Sequence, residues 1–512
     1  MLTGDILRLS AARYPDKTAI ICGDRRIPYG ALERDANRFA HAVRALGLGK
    51  GEAMAVMSRN LPEYILAHFG NARTGALMVN LSPAYAADEL HHILSHTEAR
   101  LVVVEAAFQD EIAGVRDRLP RLERVVVIGT PAIADAISFD DFIKARPDTP
   151  PAVELAESDP FSMTFTGGTT GFPKGALVDH ACRHVSAATV VIEHELNGDD
   201  VIAMVTPLYH AAGLLIWMQA AVLTGATSVL LTGWDAENFV AETERHGITA
   251  VMMVPVQLRE MIDLPGLDPA RLTGLTKIGC AGATTPAELI VDLARALPDV
   301  RFTDHYGQSE TGPLCILKPG DAVARAETVG RAAVGVELQL LDAQGRAVAS
   351  GEVGEIVVGG PFLMVGYYND AAETAAYFRT GDGRGWTGDL ATMDEDGFVT
   401  LVGRSKDMIV SGGVNIYPRE IELVLEKHAA VRDCTVFGVP DEKWGEALVA
   451  YVVIRGNDVI GEDELISYCT EHLARFKRPR LVRFVDDIPK TPSGKVQKAI
   501  LRDEFLKREG PG

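Results

Sequence analysis

The feature that most constrains the fold is an alternation of short apolar runs with amphipathic segments over the first 330 residues. The apolar runs, rich in Val, Ile, Met and Leu, lie at 53–57, 101–104, 124–128, 201–205, 228–231 and 250–254. Segments with helical periodicity, such as 29–46 and 62–73, lie between them. Because parallel strands need long crossover connections, usually helical, this pattern predicts βαβ units around largely parallel sheets. We therefore expect an α/β fold with two doubly wound subdomains that meet near residue 180.

The pattern changes after about Gly330, where short strands separated by Gly and Asp turns are predicted at 337–341, 354–358, 366–368 and 397–402. This pattern of short strands and turns indicates a small β subdomain. Beyond Gly403 an α+β pattern follows, with helices at 418–427 and 461–473 and strands at 433–439 and 447–454. A chain of 512 residues is too long for a single hydrophobic core. We predict a large N-terminal domain, 1–403, and a smaller α+β C-terminal domain, 404–512.

Charge and cysteine content exclude several classes of protein. The chain has 70 Asp and Glu against 50 Lys and Arg, a net charge of −20, which disfavours nucleic acid as a partner. Its six cysteines form no CxxC pair, so neither a zinc knuckle nor a disulfide framework is predicted. The first residues lack the apolar region of a secretory signal. These features together predict a cytoplasmic protein.

One uncharged segment, 211–234, is long enough in principle to cross a bilayer. Polar residues and a glycine interrupt it at Gln219, Thr224 and Gly225. We therefore predict a buried helix to about residue 223, a turn, and a strand at 228–231. No integral membrane segment is expected.

The densest cluster of special residues is the loop TFTGGTTGFPKG at 164–175. Glycines let backbone N–H groups approach phosphate oxygens, while threonine hydroxyls and a lysine add donors and charge. Neither Walker A spacing nor GxGxxG is present, and a flexible turn between strands is the alternative. The residues expected to contact phosphate are Thr166, Gly167, Gly168, Thr169, Thr170, Gly171 and Lys174.

Further motifs follow this loop in order: TPLYH at 206–210, GAT at 282–284, DHYGQSE at 304–310, WTGD at 386–389, GRSKD at 403–407, SGGVNIYP at 411–418 and PKTPSGK at 489–495. The set resembles the signatures of the adenylate-forming superfamily, which contains acyl- and aryl-CoA synthetases, adenylation domains and luciferases. The resemblance spans essentially the whole chain. It departs from the usual pattern at Gly167, where the family has a serine, and at Ser309, where it has a threonine.

The resemblance implies that ATP activates a carboxylic acid as an acyl adenylate with release of pyrophosphate. Lys495 would catalyse adenylation, Glu310 would bind Mg²⁺ with Thr170 as a hydroxyl partner, and His210 would touch the carboxylate. The nucleotide would contact Gly282, Ala283, Thr284, Asp304, His305, Tyr306, Gly307, Ser309, Asp389 and Arg404. The alternatives from the residues alone are a solvated lysine, a solvated glutamate, a core histidine and a structural Asp389–Arg404 salt bridge.

A thioester is the expected product if coenzyme A follows the adenylate, and a local basic patch at 475–483 interrupts the acidic chain. By resemblance, Arg478 and Arg480 would hold the 3′-phosphate of coenzyme A, and Phe476 or Trp444 would stack on its adenine. A solvated face is the alternative. The resemblance also implies that the C-terminal domain is mobile. It would rotate about a hinge at Lys406 and carry Gly412 and Gly413 toward the pantetheine.

The acyl group is indicated only by class. Apolar residues near the motifs, Leu214, Trp217, Met252, Val254, Cys280 and Ala281, favour a medium-chain, alicyclic or aromatic acid. A luciferase-like oxygenase, an amino-acid or aryl adenylation enzyme that delivers to a carrier protein, and a non-catalytic nucleotide-binding protein are the alternatives. The sequence does not define the oligomeric state, and a homodimer is compatible with it.

Overall fold

Two compact units divide the chain in the computed structural model, which describes residues 1–166, 173–456, 460–490 and 496–509. The first unit consists of Met1–Ala326, Ala332–Glu337 and Gly359–Gly385. The second consists of Glu327–Arg331, Leu338–Val358 and Trp386–Gly512. Compactness does not define which residues rotate as one body, so the division into 1–403 and 404–512 stays a prediction.

The strands are, in chain order, β1 (Thr18–Cys22), β2 (Arg25–Pro28), β3 (Ala53–Met57), β4 (Leu77–Leu81), β5 (Leu101–Glu105), β6 (Arg124–Ile128), β7 (Ile137–Ser138), β8 (Pro160–Thr166), β9 (Lys174–Asp179), β10 (Val201–Met204), β11 (Thr227–Leu230), β12 (Ala250–Met253), β13 (Lys277–Cys280), β14 (Arg301–Gln308), β15 (Gly312–Leu317), β16 (Arg331–Ala332), β17 (Glu337–Leu341), β18 (Gly354–Gly359), β19 (Gly366–Tyr367), β20 (Gly385–Met393), β21 (Val399–Arg404), β22 (Ile409–Ser411), β23 (Val414–Ile416), β24 (Val431–Asp441), β25 (Gly445–Ile454) and β26 (Leu481–Phe484).

The α-helices are α1 (Thr3–Arg13), α2 (Tyr29–Ala45), α3 (Pro62–Asn71), α4 (Ala87–His96), α5 (Gln109–Arg116), α6 (Phe139–Ile143), α7 (His180–Glu193), α8 (Gln219–Thr224), α9 (Ala236–His246), α10 (Pro255–Ile262), α11 (Ala287–Ala296), α12 (Ala371–Tyr377), α13 (Pro418–Glu426), α14 (Glu462–His472) and α15 (Lys498–Glu509). Short 3₁₀-helices lie at Ala106–Phe108, Pro269–Leu272, Ser405–Asp407 and Arg475–Lys477, and a π-helix lies at Ala212–Met218.

Two large mixed sheets confirm the predicted α/β class. The nine-stranded sheet has the order β16-β15-β14-β13-β12-β10-β11-β1-β2, and the eight-stranded sheet has the order β19-β9-β8-β4-β3-β5-β6-β7. Their central pairs are parallel, and antiparallel pairs lie toward the edges. Every residue of β3, β4 and β5 is buried, as expected for strands covered on both faces. The chain leaves the eight-stranded sheet at Asp179, close to the predicted junction.

Two short segments lie where the sequence did not place them. The hairpin β1–β2 joins the nine-stranded sheet through pairing of β1 with β11. Strand β19, predicted within the small β subdomain, instead pairs with β9 in the eight-stranded sheet. Its neighbours fix it there, since Val365 N donates to Leu177 O at 2.8 Å and Tyr368 N to Gly175 O at 2.8 Å. A two-residue strand carries too little local pattern to indicate its partner.

The uncharged segment 211–234 has the predicted order of helix, turn and strand. Its first part, Ala212–Met218, is wound as a π-helix that continues into α8 and ends at Gly225 with φ +79°. A Cβ on Gly213 would lie 2.4 Å from the carbonyl oxygen of Pro207, so this close turn requires glycine. Within the described part of the chain, no helix is long and apolar enough to cross a membrane.

The later part of the chain is built from two smaller sheets. A four-stranded sheet has the order β17-β18-β20-β21. Three of its strands, β17, β18 and β21, were predicted for the β subdomain, and β20 was not. A five-stranded sheet has the order β23-β22-β25-β24, with β26 parallel to β25. Helices α13 and α14 bury Ile421, Leu425 and Leu465 in a core shared with this sheet, which confirms the α+β pattern.

Candidate active site

The two ends of the phosphate loop meet in the hairpin formed by β8 and β9. Thr166 is paired with Lys174 across this hairpin. The Lys174 ammonium forms an ion pair with Glu373 at 2.7 Å and lies 5.9 Å from the centre of the Tyr367 ring. The loop residues Gly167, Gly168, Thr169, Thr170 and Gly171 lie outside the described residues. The structure therefore places the flanking threonine and lysine of the predicted phosphate loop.

Glu310 lies in the tight turn between β14 and β15. The two strands approach so closely that a Cβ on Gly307 would lie 2.0 Å from the carbonyl oxygen of Gly312. Thr311 closes the turn, since its backbone N donates to Gln308 O at 3.2 Å and its hydroxyl to Gly312 O at 2.8 Å. Because the turn is fixed by backbone contacts, the position of Glu310 is fixed with it.

Three residues that the sequence did not single out hold Glu310 in place. Tyr367 donates its hydroxyl proton to Glu310 Oε1 at 2.8 Å. Met364 N donates to the carbonyl oxygen of Glu310 at 2.7 Å, and Arg183 Nη2 donates to that of Ser309 at 2.7 Å. All three come from segments distant in sequence, so no local motif could have indicated them.

The Glu310 carboxylate suits Mg²⁺, which prefers hard oxygen ligands and usually completes its sphere with water and substrate phosphates. Its charge is half-buried and its backbone is held on both sides. The donor set therefore fits a magnesium ion that would neutralise polyphosphate charge. Thr170, the predicted second contact, lies outside the described residues.

Asp304 and His305, predicted nucleotide contacts, have buried side chains that contact other side chains of the same protein. Asp304 Oδ1 accepts a hydrogen bond from the Thr285 hydroxyl at 2.8 Å, and burial raises the pKa of Asp304 to about 7. His305 Nδ1 lies 3.5 Å from His194 Nε2, and burial lowers the pKa of His305 to about 4. Along the same strand Tyr306 is half-buried and Gly307 is exposed. The exposed end of β14 is thus the part that a ligand can reach.

The turn Gly282, Ala283 and Thr284 follows β13, the parallel neighbour of β14. Gly282 has φ +90°, and both Gly282 and Thr284 are exposed. Because the carboxyl ends of parallel strands meet at one sheet edge, this turn lies on the same side as the end of β14. That edge is the usual ligand-binding edge of open α/β sheets.

His210 is half-buried and immediately precedes the helical turn that begins at Ala211. The loop before it is held by buried Asn60, whose Nδ2 donates to Met204 O at 2.9 Å and whose Oδ1 accepts from Leu208 N at 2.8 Å. The rings of Tyr209 and His210 are 4.6 Å apart. The predicted acyl-pocket residues Leu214, Trp217, Met252, Cys280 and Ala281 are buried, and Val254 is half-buried.

In the second unit, Asp389 and Arg404 are direct cross-strand neighbours on β20 and β21. Arg404 Nε donates to Asp389 Oδ1 at 2.8 Å, and the Asp389 side chain is buried. This ion pair was the structural alternative for these two residues, and it leaves their nucleotide contacts a prediction. Lys406 is exposed in the 3₁₀-helix Ser405–Asp407, immediately after β21.

Gly412 and Gly413 form the two-residue turn between β22 and β23, with φ of +60° and +79°. Such a turn needs positive φ at both positions, which glycine adopts without strain. Gly412 N donates to Trp444 O at 2.7 Å, and the guanidinium carbon of Arg480 lies 4.2 Å from the centre of the Trp444 ring. The turn, the indole and one predicted coenzyme A arginine are therefore neighbours.

The rest of the basic patch is divided between exposed and ion-paired groups. Phe476 and Arg478 are exposed. Lys477 forms an ion pair with Glu420, and Arg483 forms one with Glu462 at 3.3 Å. Lys495 lies outside the described residues. The patch thus keeps Arg478 and Phe476 open to solvent, as a coenzyme A contact requires.

The fold and the site together define an ATP-dependent enzyme of the adenylate-forming class. The chain matches the AMP-binding enzyme family over residues 7–368 and the AMP-binding enzyme C-terminal domain over residues 420–495, and it belongs to this family.

Among curated relatives, the chain is 34% identical to indoleacetate–CoA ligase of Aromatoleum aromaticum, with 96% of each chain covered. It is 34% identical to feruloyl-CoA synthase of an Amycolatopsis species, with 97% of each covered. Among solved structures, it resembles the anthranilate CoA ligase AuaEII in complex with anthranoyl-AMP, with a TM-score of 0.89, 28% identity, and coverage of 98% and 97% of the two chains. The protein is therefore an acid–thiol ligase that uses ATP, Mg²⁺ and coenzyme A.

Proposed function

We propose that the protein is an AMP-forming ligase that joins an apolar carboxylic acid to coenzyme A. The observation that carries this proposal is that one short segment, residues 364–374, serves two functional groups. Tyr367 contacts the Glu310 carboxylate, and Glu373, a few residues further on, pairs with Lys174. Lys174 and Glu310 are thereby connected through one segment, which supports a joint role for them in binding a polyphosphate and its Mg²⁺ ion.

In the first half reaction a carboxylate oxygen of the acid attacks the α-phosphorus of ATP, and the bond to the β-phosphate bridging oxygen breaks. Pyrophosphate leaves and an acyl adenylate remains. Both reactants are anions, so catalysis depends on positive charge and an in-line approach. Lys174 and the phosphate loop would hold the pyrophosphate end, Glu310 the magnesium ion, and Lys495 the α-phosphate. His210 would orient the carboxylate.

In the second half reaction the thiolate of coenzyme A attacks the acyl carbon, and AMP leaves. Trp444, which lies under Arg480 and beside the Gly412 turn, supports a role for this face in binding coenzyme A. Arg478 would hold the 3′-phosphate as a charge-assisted contact. Rotation of the C-terminal domain about Lys406 would exchange the adenylating and thioester-forming arrangements.

The acid is proposed to be medium-chain, alicyclic or aromatic. The side chains of Leu214, Trp217 and Met252 are buried and apolar, so a charged diacid would lack partners near them. The related indoleacetate–CoA ligase and feruloyl-CoA synthase are named for aryl acids, which supports the aromatic class.

The test is pyrophosphate release across a panel of acids: acetate, malonate, decanoate, cyclohexanecarboxylate, indoleacetate and ferulate. We expect release with one or more of the last four and little with the first two. Addition of coenzyme A should convert the acyl adenylate to a thioester, which mass spectrometry detects. Preference for acetate or malonate would contradict the substrate class, and adenylate without thioester would contradict coenzyme A as the acceptor.

A further inference from the structure

Arg183, near the start of α7, is a buried arginine that no motif includes. It is among the largest side chains with no exposed surface, and its Nη2 donates to Ser309 O at 2.7 Å. Its other two donor nitrogens, Nε and Nη1, are buried and have no hydrogen-bond partner among the described residues. The same part of the chain shows no ion pair for Arg183. Its charge is therefore satisfied at one point only.

This arrangement is unfavourable for folding in two ways. A buried guanidinium without a carboxylate loses hydration, and the single hydrogen bond to Ser309 replaces that hydration only in part. Arg183 also lies in the first turn of a 14-residue helix, where the backbone N–H groups already present partial positive charge. Because Arg183 is unfavourable for folding, its presence suggests a functional role, which its contacts should reveal.

What Arg183 contacts is the peptide that joins Ser309 to Glu310. Nη2 holds its carbonyl oxygen, and Met364 N holds the carbonyl oxygen on the other side of Glu310 at 2.7 Å. Room for the guanidinium depends on Gly312, where an added Cβ would lie 3.2 Å from Arg183 Nη1. The arginine thus lies against the inner side of the turn that presents the Glu310 carboxylate.

We propose that Arg183 is a positioning residue for magnesium binding, and that its charge-assisted hydrogen bond to Ser309 fixes the backbone orientation from which Glu310 reaches the ion. The inference rests on the proposed role of Glu310 as a Mg²⁺ ligand. Arginine suits the position because its planar fork is stiff and carries a charge, whereas lysine would offer a single, rotatable donor group.

The test compares binding of ATP in excess Mg²⁺ with binding of ATP in EDTA, measured by isothermal titration calorimetry. In Arg183→Met, which keeps the volume but not the charge, we expect MgATP binding to weaken about tenfold and metal-free ATP binding to change less than twofold. The melting temperature should stay at or above that of the wild type, because a poorly compensated buried charge has been removed. Arg183→Lys should lie between the two, with MgATP binding at least threefold weaker than in the wild type.

Arg73→Met is the matched control, since Arg73 is also buried but forms an ion pair with Glu33 at 2.5 Å. This variant should lose stability and keep its preference for MgATP. Equal weakening of both forms of ATP in Arg183→Met, together with a lower melting temperature, would overturn the proposal. If the methionine variant is insoluble, a lysine variant with wild-type MgATP binding would overturn it as well.

The wild-type protein separates this inference from the proposed function. If it binds MgATP more tightly than ATP but releases no pyrophosphate with any acid, the proposed function fails while the role of Arg183 is still measured. If pyrophosphate is released and Arg183→Met keeps its full preference for MgATP, the proposed function stands and the role of Arg183 is refuted.

Discussion

At the scale of single residues, burial changes the acid–base behaviour of β14, the strand that leads to the turn carrying Glu310. Asp304 and His305 are adjacent on β14, yet one has a raised pKa and the other a lowered pKa, each because burial disfavours its charged form. The Thr285 hydroxyl partly opposes the change at Asp304. Neither effect can be deduced from the DHYGQSE motif, which contains the residues but not their surroundings.

The raised pKa of Asp304 predicts a pH-dependent stability. The pKa of Asp304 is about 7 in the folded protein and near 4 in the unfolded chain, so the folded protein binds this proton more tightly. The resulting contribution to the stability of the fold is lost as pH rises from about 4 to 7. In Asp304→Asn, which keeps an acceptor for Thr285, this dependence should vanish. Between pH 4 and pH 8, the free energy of unfolding of the variant, measured with urea, should rise relative to that of the wild type by at most about 4 kcal/mol. Cys280, the nearby thiol, stays neutral in this range because burial raises its pKa.

The comparison between variant and wild type is needed because His305 opposes the trend. Its lowered pKa makes the folded state bind its proton less tightly, so its contribution to stability rises with pH between about 4 and 6.5. An unchanged difference between Asp304→Asn and the wild type across pH would show that Asp304 ionises normally.

The hydrogen bond from Tyr367 to Glu310 predicts a second residue-scale effect. Tyr367→Phe removes one donor to a carboxylate and keeps the ring that lies near Lys174. A hydrogen bond to a charged group contributes about 1.5–3 kcal/mol, so pyrophosphate release should need roughly ten times more Mg²⁺ for half-maximal rate. Tyr368→Phe, one residue further on, is the control and should leave the Mg²⁺ dependence unchanged. A lower rate at every Mg²⁺ concentration, with the same midpoint, would argue against this role.

At the scale of elements, the site depends on tight hairpins more than on helices. The β8–β9 hairpin joins Thr166 to Lys174, the β14–β15 turn carries Glu310, and the β22–β23 turn carries Gly412 and Gly413. Glycine is required where a side chain would strike the facing backbone or where φ is positive. Close backbone contacts and glycine conformation therefore position these hairpins.

Gly307→Ala tests the importance of backbone contacts at the β14–β15 turn. Its Cβ would lie 2.0 Å from Gly312 O, so β14 and β15 must separate and Glu310 must move. We expect a loss of about 1–3 kcal/mol of stability, measured by urea unfolding, and a large loss of pyrophosphate release. Gly320→Ala is the control, because nothing lies within 4 Å of its added Cβ and it should be tolerated. Wild-type activity in Gly307→Ala would show that the turn can widen without harm.

At the scale of the whole molecule, the chain consists of two compact units, and the predicted groups are divided between them. Glu310, Lys174 and His210 belong to the first unit, while Asp389, Arg404 and Trp444 belong to the second. The resemblance to adenylate-forming enzymes predicts that the C-terminal part rotates between half reactions. Such a rotation would separate the two chemical steps.

Lys495→Ala is the variant that separates them. We expect adenylate formation, measured by pyrophosphate release, to fall roughly 100-fold or more, because the charge at the α-phosphate is lost. Conversion of supplied acyl adenylate to thioester should stay within about twofold of the wild-type rate. Lys490→Ala, five residues earlier, is the control and should affect neither step strongly. Equal loss of both half reactions in Lys495→Ala would refute the division of labour.

The sequence alone determined the α/β class and most strand positions, and it predicted the phosphate loop, because periodicity and turn chemistry are local properties. The tertiary structure decided which segments meet: β19 against β9, Tyr367 against Glu310 across 57 positions, and Arg183 against Ser309 across 126. It also decided that Asp304 and His305 are buried, which raises the pKa of Asp304 to about 7 and lowers the pKa of His305 to about 4. The physical reason is that burial and hydrogen bonding depend on neighbours in space, whereas a motif specifies only neighbours along the chain.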